Sequence, residues 1–214
     1  MIVILFGPHG SGKGTQAKMI ADEYGLVRIS TGDVFRESIA SGSELGKKVK
    51  KFVEGNVYVP DDLVNEVVKE KIVSSDKNFV FDGYPRTMDQ TKFLEKVFQE
   101  LKLQVDIVIN IDVDDAELVK RLENRRICSK CGATYNLATN SPAKDEMCDV
   151  CGGKLYQRKD DTKEGIKSRM NEYKTKAQPL LEHFRKHDKL ADIDGNKPPE
   201  LVFTDIKQLL DKFV

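Results

Sequence analysis

Residues Ile2–Gln16 read IVILFGPHGSGKGTQ, an apolar, β-branched run followed at once by a glycine-rich loop. Ile2 to Phe6 has the pattern of a strand buried on both faces, as in a parallel sheet. Gly7-x4-Gly12-Lys13 then has the spacing of a phosphate-binding loop, set between a strand and a helix as that mechanism requires. Glycines let successive backbone N–H groups turn toward one centre, and the helix N-terminus adds positive partial charge. Lys13 offers a point charge to terminal phosphates, and the Thr15 hydroxyl can serve phosphate or Mg²⁺. Gly14 departs from the general pattern, which has Ser or Thr directly after the lysine. His9, inside the loop, could touch phosphate or face solvent, and is expected to face solvent.

Working outward, strand-like and helical stretches alternate. Leu26 to Ile29, Phe79 to Asp82, Asp106 to Val113 and Leu190 to Ile193 read as further strands. Thr15 to Tyr24, Asp61 to Val73, Thr87 to Leu101, Asp114 to Arg125, Thr162 to His187 and Pro199 to Phe213 read as helices. Pro60-Asp61-Asp62 looks like a stop-and-cap signal, and Pro179 is expected to bend or break the long helix. This alternation predicts an α/β, doubly wound parallel sheet. Two segments interrupt it. Thr31 to Val59 is polar and helical in pattern, with Glu44 to Glu54 its best helix, and Arg126 to Asp161 has no helical period and predicts a small β-rich lobe.

That second segment holds all four cysteines, as Cys128-x2-Cys131 and Cys148-x2-Cys151 with sixteen residues between the pairs. Two such knuckles present four thiolates tetrahedrally, which suits a structural Zn²⁺ with no open coordination position. A redox dithiol or an iron centre is the alternative. The 214 residues carry 35 basic and 35 acidic side chains, so no global field advertises nucleic acid or a membrane surface. With no signal peptide and no spanning segment in evidence, the expected address is the cytoplasm.

FDGYPRT, Phe81 to Thr87, closes the strand that begins at Phe79. An aspartate at the carboxyl end of a parallel strand stands where such sheets bind ligands. Asp82 is a candidate to hold a water of a Mg²⁺ shell, Gly83 allows close approach of a planar group, and Arg86 offers a bidentate fork to phosphate.

Gly7 to Gln16, STGD at Ser30 to Asp33, DGYPRT at Asp82 to Thr87 and RKDD at Arg158 to Asp161 together resemble the adenylate kinases, over essentially the whole chain. Gly14-Thr15 is that family's own form, whereas His9 and Tyr84 replace the more usual small or proline residue and Phe. The resemblance implies a core of residues 1–29, 60–125 and 162–214, an AMP-binding insertion at 30–59 and a zinc-binding lid at 126–161. It implies AMP contacts at Thr31, Arg36, Val57, Tyr58, Val59, Gly83, Tyr84, Pro85, Arg86 and Gln90. ATP contacts would fall at Gly10, Ser11, Gly12, Lys13, Gly14, Thr15, Arg121, Arg125, Thr134, Tyr135 and Lys197. Arg158 and Arg169 would clamp phosphates from the lid and its flanking helix, completing a catalytic set of Lys13, Arg86, Arg121, Arg125, Arg158 and Arg169. A carboxamide such as Gln90 can pair bidentately with an adenine edge.

The implied reaction is reversible transfer from Mg-ATP to AMP, giving two ADP, in an expected monomer. Arginines would both neutralise and orient the charge spread over the transferred group. A related kinase acting on another nucleoside monophosphate or on a hydroxyl compound is the nearest rival, with Asp33 as the base a hydroxyl would need. A GTPase is disfavoured because Asn196-Lys197-Pro198-Pro199 lacks the guanine-reading aspartate. A nucleic-acid module built on the locally basic cysteine lobe is disfavoured by its few aromatics.

Overall fold

A computed structural model describes residues 1–55, 57, 59–75, 78–158 and 161–214. Five parallel strands form the central sheet in the order β2-β3-β1-β4-β8. They are β1 (Ile2–Phe6), β2 (Val27–Ser30), β3 (Phe79–Asp82), β4 (Ile107–Asp112) and β8 (Leu190–Asp194). The central strand β1 pairs with β3 from Ile2↔Phe79 to Leu5↔Asp82, and with β4 from Val3↔Ile107 to Phe6↔Asn110. The chain therefore builds one half of the sheet, returns across β1 and builds the other. The crevice at the carboxyl end of β1 is the switch point where such sheets bind ligands.

Alternation along the strands sorts the core into two layers. Ile2, Ile4, Phe6, Phe79, Phe81 and Val108 face α4 (Asp61–Val73), α5 (Met88–Leu101) and the carboxyl half of α7 (Lys163–Lys186), which adds Leu180 and Phe184. Val3, Leu5, Val80, Ile109 and Ile111 face α1 (Lys13–Tyr24), α6 (Asp115–Glu123), α8 (Pro199–Leu210) and the amino half of α7, which adds Ile166 and Met170. The helix α7 thus touches both layers. It runs unbroken through Pro179, so of the bend or break expected there the break does not occur. Pro179 and Thr175, whose carbonyl the proline leaves without its helical donor, are both exposed, so the orphan oxygen lies on the face open to solvent.

The polar stretch after β2 forms α2 (Thr31–Ser41) and α3 (Glu44–Glu54), capped by the Ser30 and Ser43 hydroxyls. Gly46 makes their close packing possible, because a Cβ there would stand 2.0 Å from the Ser38 carbonyl oxygen. The cysteine segment holds a separate antiparallel sheet, β6-β5-β7, made of β5 (Arg125–Cys128), β6 (Thr134–Asn136) and β7 (Leu155–Tyr156). Arg125, expected to end a helix, instead opens β5, since α6 stops at Glu123 with Asn124 as its cap. Among the described residues no helix is long and apolar enough to cross a membrane.

Tyr84 is fully buried, with its hydroxyl 2.7 Å from Asn65 Oδ1 of α4 and 3.3 Å from the Gln90 carbonyl. Tyr84→Phe is expected to lower stability by about 1–3 kcal/mol, the cost of leaving a buried acceptor unmet. A urea titration checks this, and an unchanged midpoint would contradict it.

Candidate active site

The loop between β1 and α1 is held in a shape only glycine fits. Gly7 has φ +146°, and a Cβ there would lie 2.8 Å from the Ile111 carbonyl oxygen at the end of β4. The Ser11 amide donates to the Pro8 carbonyl at 3.2 Å. The Ser11 hydroxyl is buried with no hydrogen-bond partner, a group that an incoming acceptor would satisfy. Lys13 Nζ folds back on its own loop, donating to the Gly7 and Pro8 carbonyls at 2.5 and 2.8 Å. Burial pushes its pKa down from 10.5 to about 7; Asp82 opposes this, while Arg86, Arg125 and Arg169 add to it.

Those three arginines reach Lys13 from separate parts of the chain. Arg86 belongs to the turn after β3, where its Nε donates to the Gly83 carbonyl at 2.7 Å and its amide to Gln90 Oε1 at 2.7 Å. Arg125 opens β5 and Arg169 lies on α7, and Asp161 joins them. Its carboxylate, buried to a side-chain exposure of 0%, accepts from Arg125 Nε and Nη2 at 2.8 and 2.6 Å and from Arg169 Nη2 at 2.8 Å. A cavity lies between the loop, the turn at Gly83–Arg86 and α7.

His9 lines this cavity rather than facing open solvent as expected. Burial, then Arg86, Lys13, Arg169 and Arg125, hold its pKa well below 6.5, so the ring is neutral at pH 7. Sequence alone did not show that its neighbours would include three arginines brought from three other segments.

Asp82 does not cap a helix or stand open. Its Oδ2 is 2.5 Å from Arg28 Nη2, and the same nitrogen is 3.0 Å from Asp33 Oδ2. Asp33 also pairs with Arg36. Burial alone would raise the Asp33 pKa, but Arg36 and Arg28 outweigh it and hold the carboxyl below its ordinary range. Asp61, which looked like a helix cap, makes no cap bond. It accepts instead from the Thr87 hydroxyl at 2.6 Å and Gln90 Nε2 at 2.7 Å, tying α4 to the start of α5.

The four cysteine Sγ atoms all lie within 4.8 Å of one another. Cys128 and Cys151 are 3.4 Å apart and Cys131 and Cys148 3.6 Å, far beyond disulfide length. A tetrahedron with metal–sulfur bonds of about 2.3 Å has sulfur–sulfur edges of about 3.8 Å, so the cluster fits a metal ion with little adjustment. The Tyr135 hydroxyl is 3.4 Å from Cys148 Sγ, and with the backbone N–H groups of Cys151 and Val150 it lowers that thiol to about 6, toward the thiolate a metal needs.

A family model described as adenylate kinase matches residues 5–189. The adenylate kinase of Petrotoga mobilis is 45% identical over 213 residues, covering 100% of this chain and 99% of its own length. That of Archaeoglobus fulgidus is 45% identical over 214 residues, with 99% of each covered. The chain belongs to the adenylate kinase family. It is a nucleoside monophosphate kinase that moves a phosphoryl group reversibly between ATP plus AMP and two ADP.

Seen as an adenylate kinase, the candidate residues fall into groups. Lys13, Arg86, Arg125 and Arg169 come together. Arg121 stands apart from them, its Nε 2.8 Å from Glu117 Oε1 and its Nη2 3.4 Å from the Asn196 carbonyl, next to Lys197, which pairs with Asp205 at 2.7 Å. The Arg158 carbonyl accepts from the Asp161 amide at 3.1 Å; Lys159 and Asp160 of the RKDD motif lie outside the described residues. Thr134 is exposed, whereas the Tyr135 side chain turns into the cysteine lobe. On the other side, the Thr31 hydroxyl donates to the Gly83 carbonyl at 3.3 Å, Val59 is buried and Val57 exposed. Tyr58 lies outside the described residues.

Two residues bonded into these clusters were not singled out from sequence. Arg28 had a signal, a lone charge inside the apolar run LVRIS, which demands a buried partner. Asp161 had none beyond its place in the quoted motif. Asp161→Asn keeps the volume but strands two arginines, and is expected to cost about 3–5 kcal/mol. Chemical denaturation reads this out, and a loss below 1 kcal/mol would contradict the burial argument.

Proposed function

We propose that Lys13, Arg86, Arg125 and Arg169 form the phosphoryl-transfer centre, with Arg158 joining them and Asp161 positioning two of them. The observation that supports this is the convergence of Arg86, Arg125 and Arg169, from three other segments, around Lys13, whose pKa burial lowers and these arginines lower further, with Lys13 and Arg86 lining one cavity. Charge on the transferred group spreads over its oxygens, so catalysis here is mainly positioning and charge stabilisation. The phosphate of AMP is already an anionic nucleophile and needs no base. The ion pairs that keep Asp33 charged leave it a poor base, which favours AMP over a hydroxyl acceptor.

On the ATP side, Gly10, Ser11, Gly12, Gly14 and Thr15 would offer backbone N–H groups and hydroxyls to phosphates. Arg121 and Lys197, grouped at the turn after β8, would flank the nucleoside, with Thr134 and the Tyr135 backbone closing from the lobe. On the AMP side stand Thr31, Arg36, Val57, Tyr58, Val59, Gly83, Tyr84, Pro85 and Gln90. Tyr84 acts through its backbone, since its ring is buried. Gln90 spends one N–H on Asp61 and one lone pair on Arg86, leaving one of each for a base edge.

Mg²⁺ would arrive with ATP, with Thr15 and the oxygen of Asp82 not bound to Arg28 as its protein partners through water, and would neutralise phosphate charge. Zn²⁺ would occupy Cys128, Cys131, Cys148 and Cys151 as a structural ion. The division into residues 1–29, 60–125 and 162–214, 30–59, and 126–161 belongs to this reading, as do a cytoplasmic location and a monomeric state. Closure of the 126–161 lobe would exclude water from the transfer step, gating of a kind adenylate kinases use.

Phosphoryl transfer from Mg-ATP to AMP, UMP, CMP, GMP, shikimate and water tests the acceptor. Strong preference for AMP with little hydrolysis is expected, and preference for a pyrimidine would overturn the AMP assignments. Arg86→Ala is expected to lower kcat by about 10²–10³-fold; a change below tenfold would remove it from the centre. Metal analysis should find one zinc per chain, and chelation should lower the unfolding temperature. An unchanged temperature after complete zinc removal would contradict a structural role.

A further inference from the structure

Of the chain's three histidines, two stand one turn apart at the end of α7, where the nucleotide chemistry makes no use of them. His183 Nε2 is 2.8 Å from Glu95 Oε1 of α5, and His187 Nδ1 is 2.7 Å from the His183 carbonyl oxygen. A carboxylate and a carbonyl only accept, so each of these ring nitrogens carries the proton. In the neutral form of each ring, a lone pair is thereby left on His183 Nδ1 and on His187 Nε2. The two rings lie 4.6 Å apart between centroids, tilted by 45°. His183 keeps 22% of its side-chain exposure and Glu95 49%, while His187 is exposed.

Neutral imidazoles at i and i+4 on one helical face are a recurrent chelating pair. A metal-ligating histidine almost always gives its other N–H to a carboxylate or a carbonyl, which fixes tautomer and ring orientation. Both partners are already in place here. The site also lies at the carboxyl end of a helix, where the backbone dipole favours a cation. Of the basic groups on the same turn, Arg185 is engaged with Asp192 at 3.0 Å and Lys186 is exposed to water.

We propose that His183 Nδ1 and His187 Nε2 form a second metal site, for a divalent transition ion such as Ni²⁺, Cu²⁺ or Zn²⁺, with Glu95 orienting His183 from the neighbouring helix. Water completes the ion's coordination. The site is distinct from the cysteine cluster in ligand chemistry, being nitrogen-based and open, and its orienting hydrogen bond comes from α5.

The test is equilibrium dialysis of the full chain, zinc-loaded at its cysteines, against Ni²⁺, with both metals measured on the same sample. One nickel per chain bound without loss of zinc is expected. His183→Gln and His187→Gln should each weaken it at least tenfold. Glu95→Gln should weaken it by about 10–100-fold although it is not a ligand. His187 is exposed, so its variant keeps the test readable if the His183 variant misfolds. No nickel bound beyond the zinc, or equal binding by wild type and His187→Gln, would overturn the site. Full binding by Glu95→Gln would overturn the role given to Glu95.

Discussion

The constraint on which the rest depends is like-charge crowding at the carboxyl end of β1. Arg86, Arg125 and Arg169 are near enough to act on the charge of Lys13, and without acids between them such a cluster would push the loop, the lobe and α7 apart. Asp161 and Asp82 hold them. Asp161 takes three of the bonds itself, while Asp82 shares a local field with Lys13 and Arg28. Such buried pairs contribute little net stability beside an apolar core, but removing one partner is costly. The arrangement favours a waiting site over a maximally stable one, and phosphate is the ligand that would relieve it.

The scaffold serves that arrangement. β1 delivers the loop, β3 delivers the Gly83–Arg86 turn beside it, and α7 spans both core layers so that Arg169 is fixed relative to each. The cysteine lobe has a small core of its own, built on Cys128, Tyr135, Cys148 and Leu155. So little apolar surface does not hold a lobe rigid, and a metal at the four thiolates would supply the missing cross-link. Arg125 leads from this lobe to Asp161 and Arg169, which would couple lobe geometry to the proposed transfer centre.

Much of this was legible in the sequence where local pattern decides. The loop's glycines, the both-face burial of β1 and the span of α3 follow from composition and spacing, and the cysteine pairs foretold their own cluster. What the sequence did not carry was set by tertiary partners. Pro179 was tolerated because its turn faces water. Asp61 left its expected cap for Thr87 and Gln90, residues distant in the chain. His9 read as a surface side chain because the arginines around it arrive from elsewhere. Arg28 and Asp161 became site residues only once β2 met β3 and β5 met α7.

Crowded cations that await phosphate should take up a proton when phosphate binds. With the empty-site pKa of Lys13 lowered to about 7, the amine is mostly neutral at pH 8. Phosphate oxygens favour its charged form and raise that pKa. Calorimetry of Mg-ATP binding at pH 8, in buffers of differing ionisation enthalpy, should then show uptake of close to one proton per site. That uptake should fade below pH 6, where Lys13 is charged in both states, and vanish in Lys13→Met. Binding at pH 8 with no proton taken up would contradict the account.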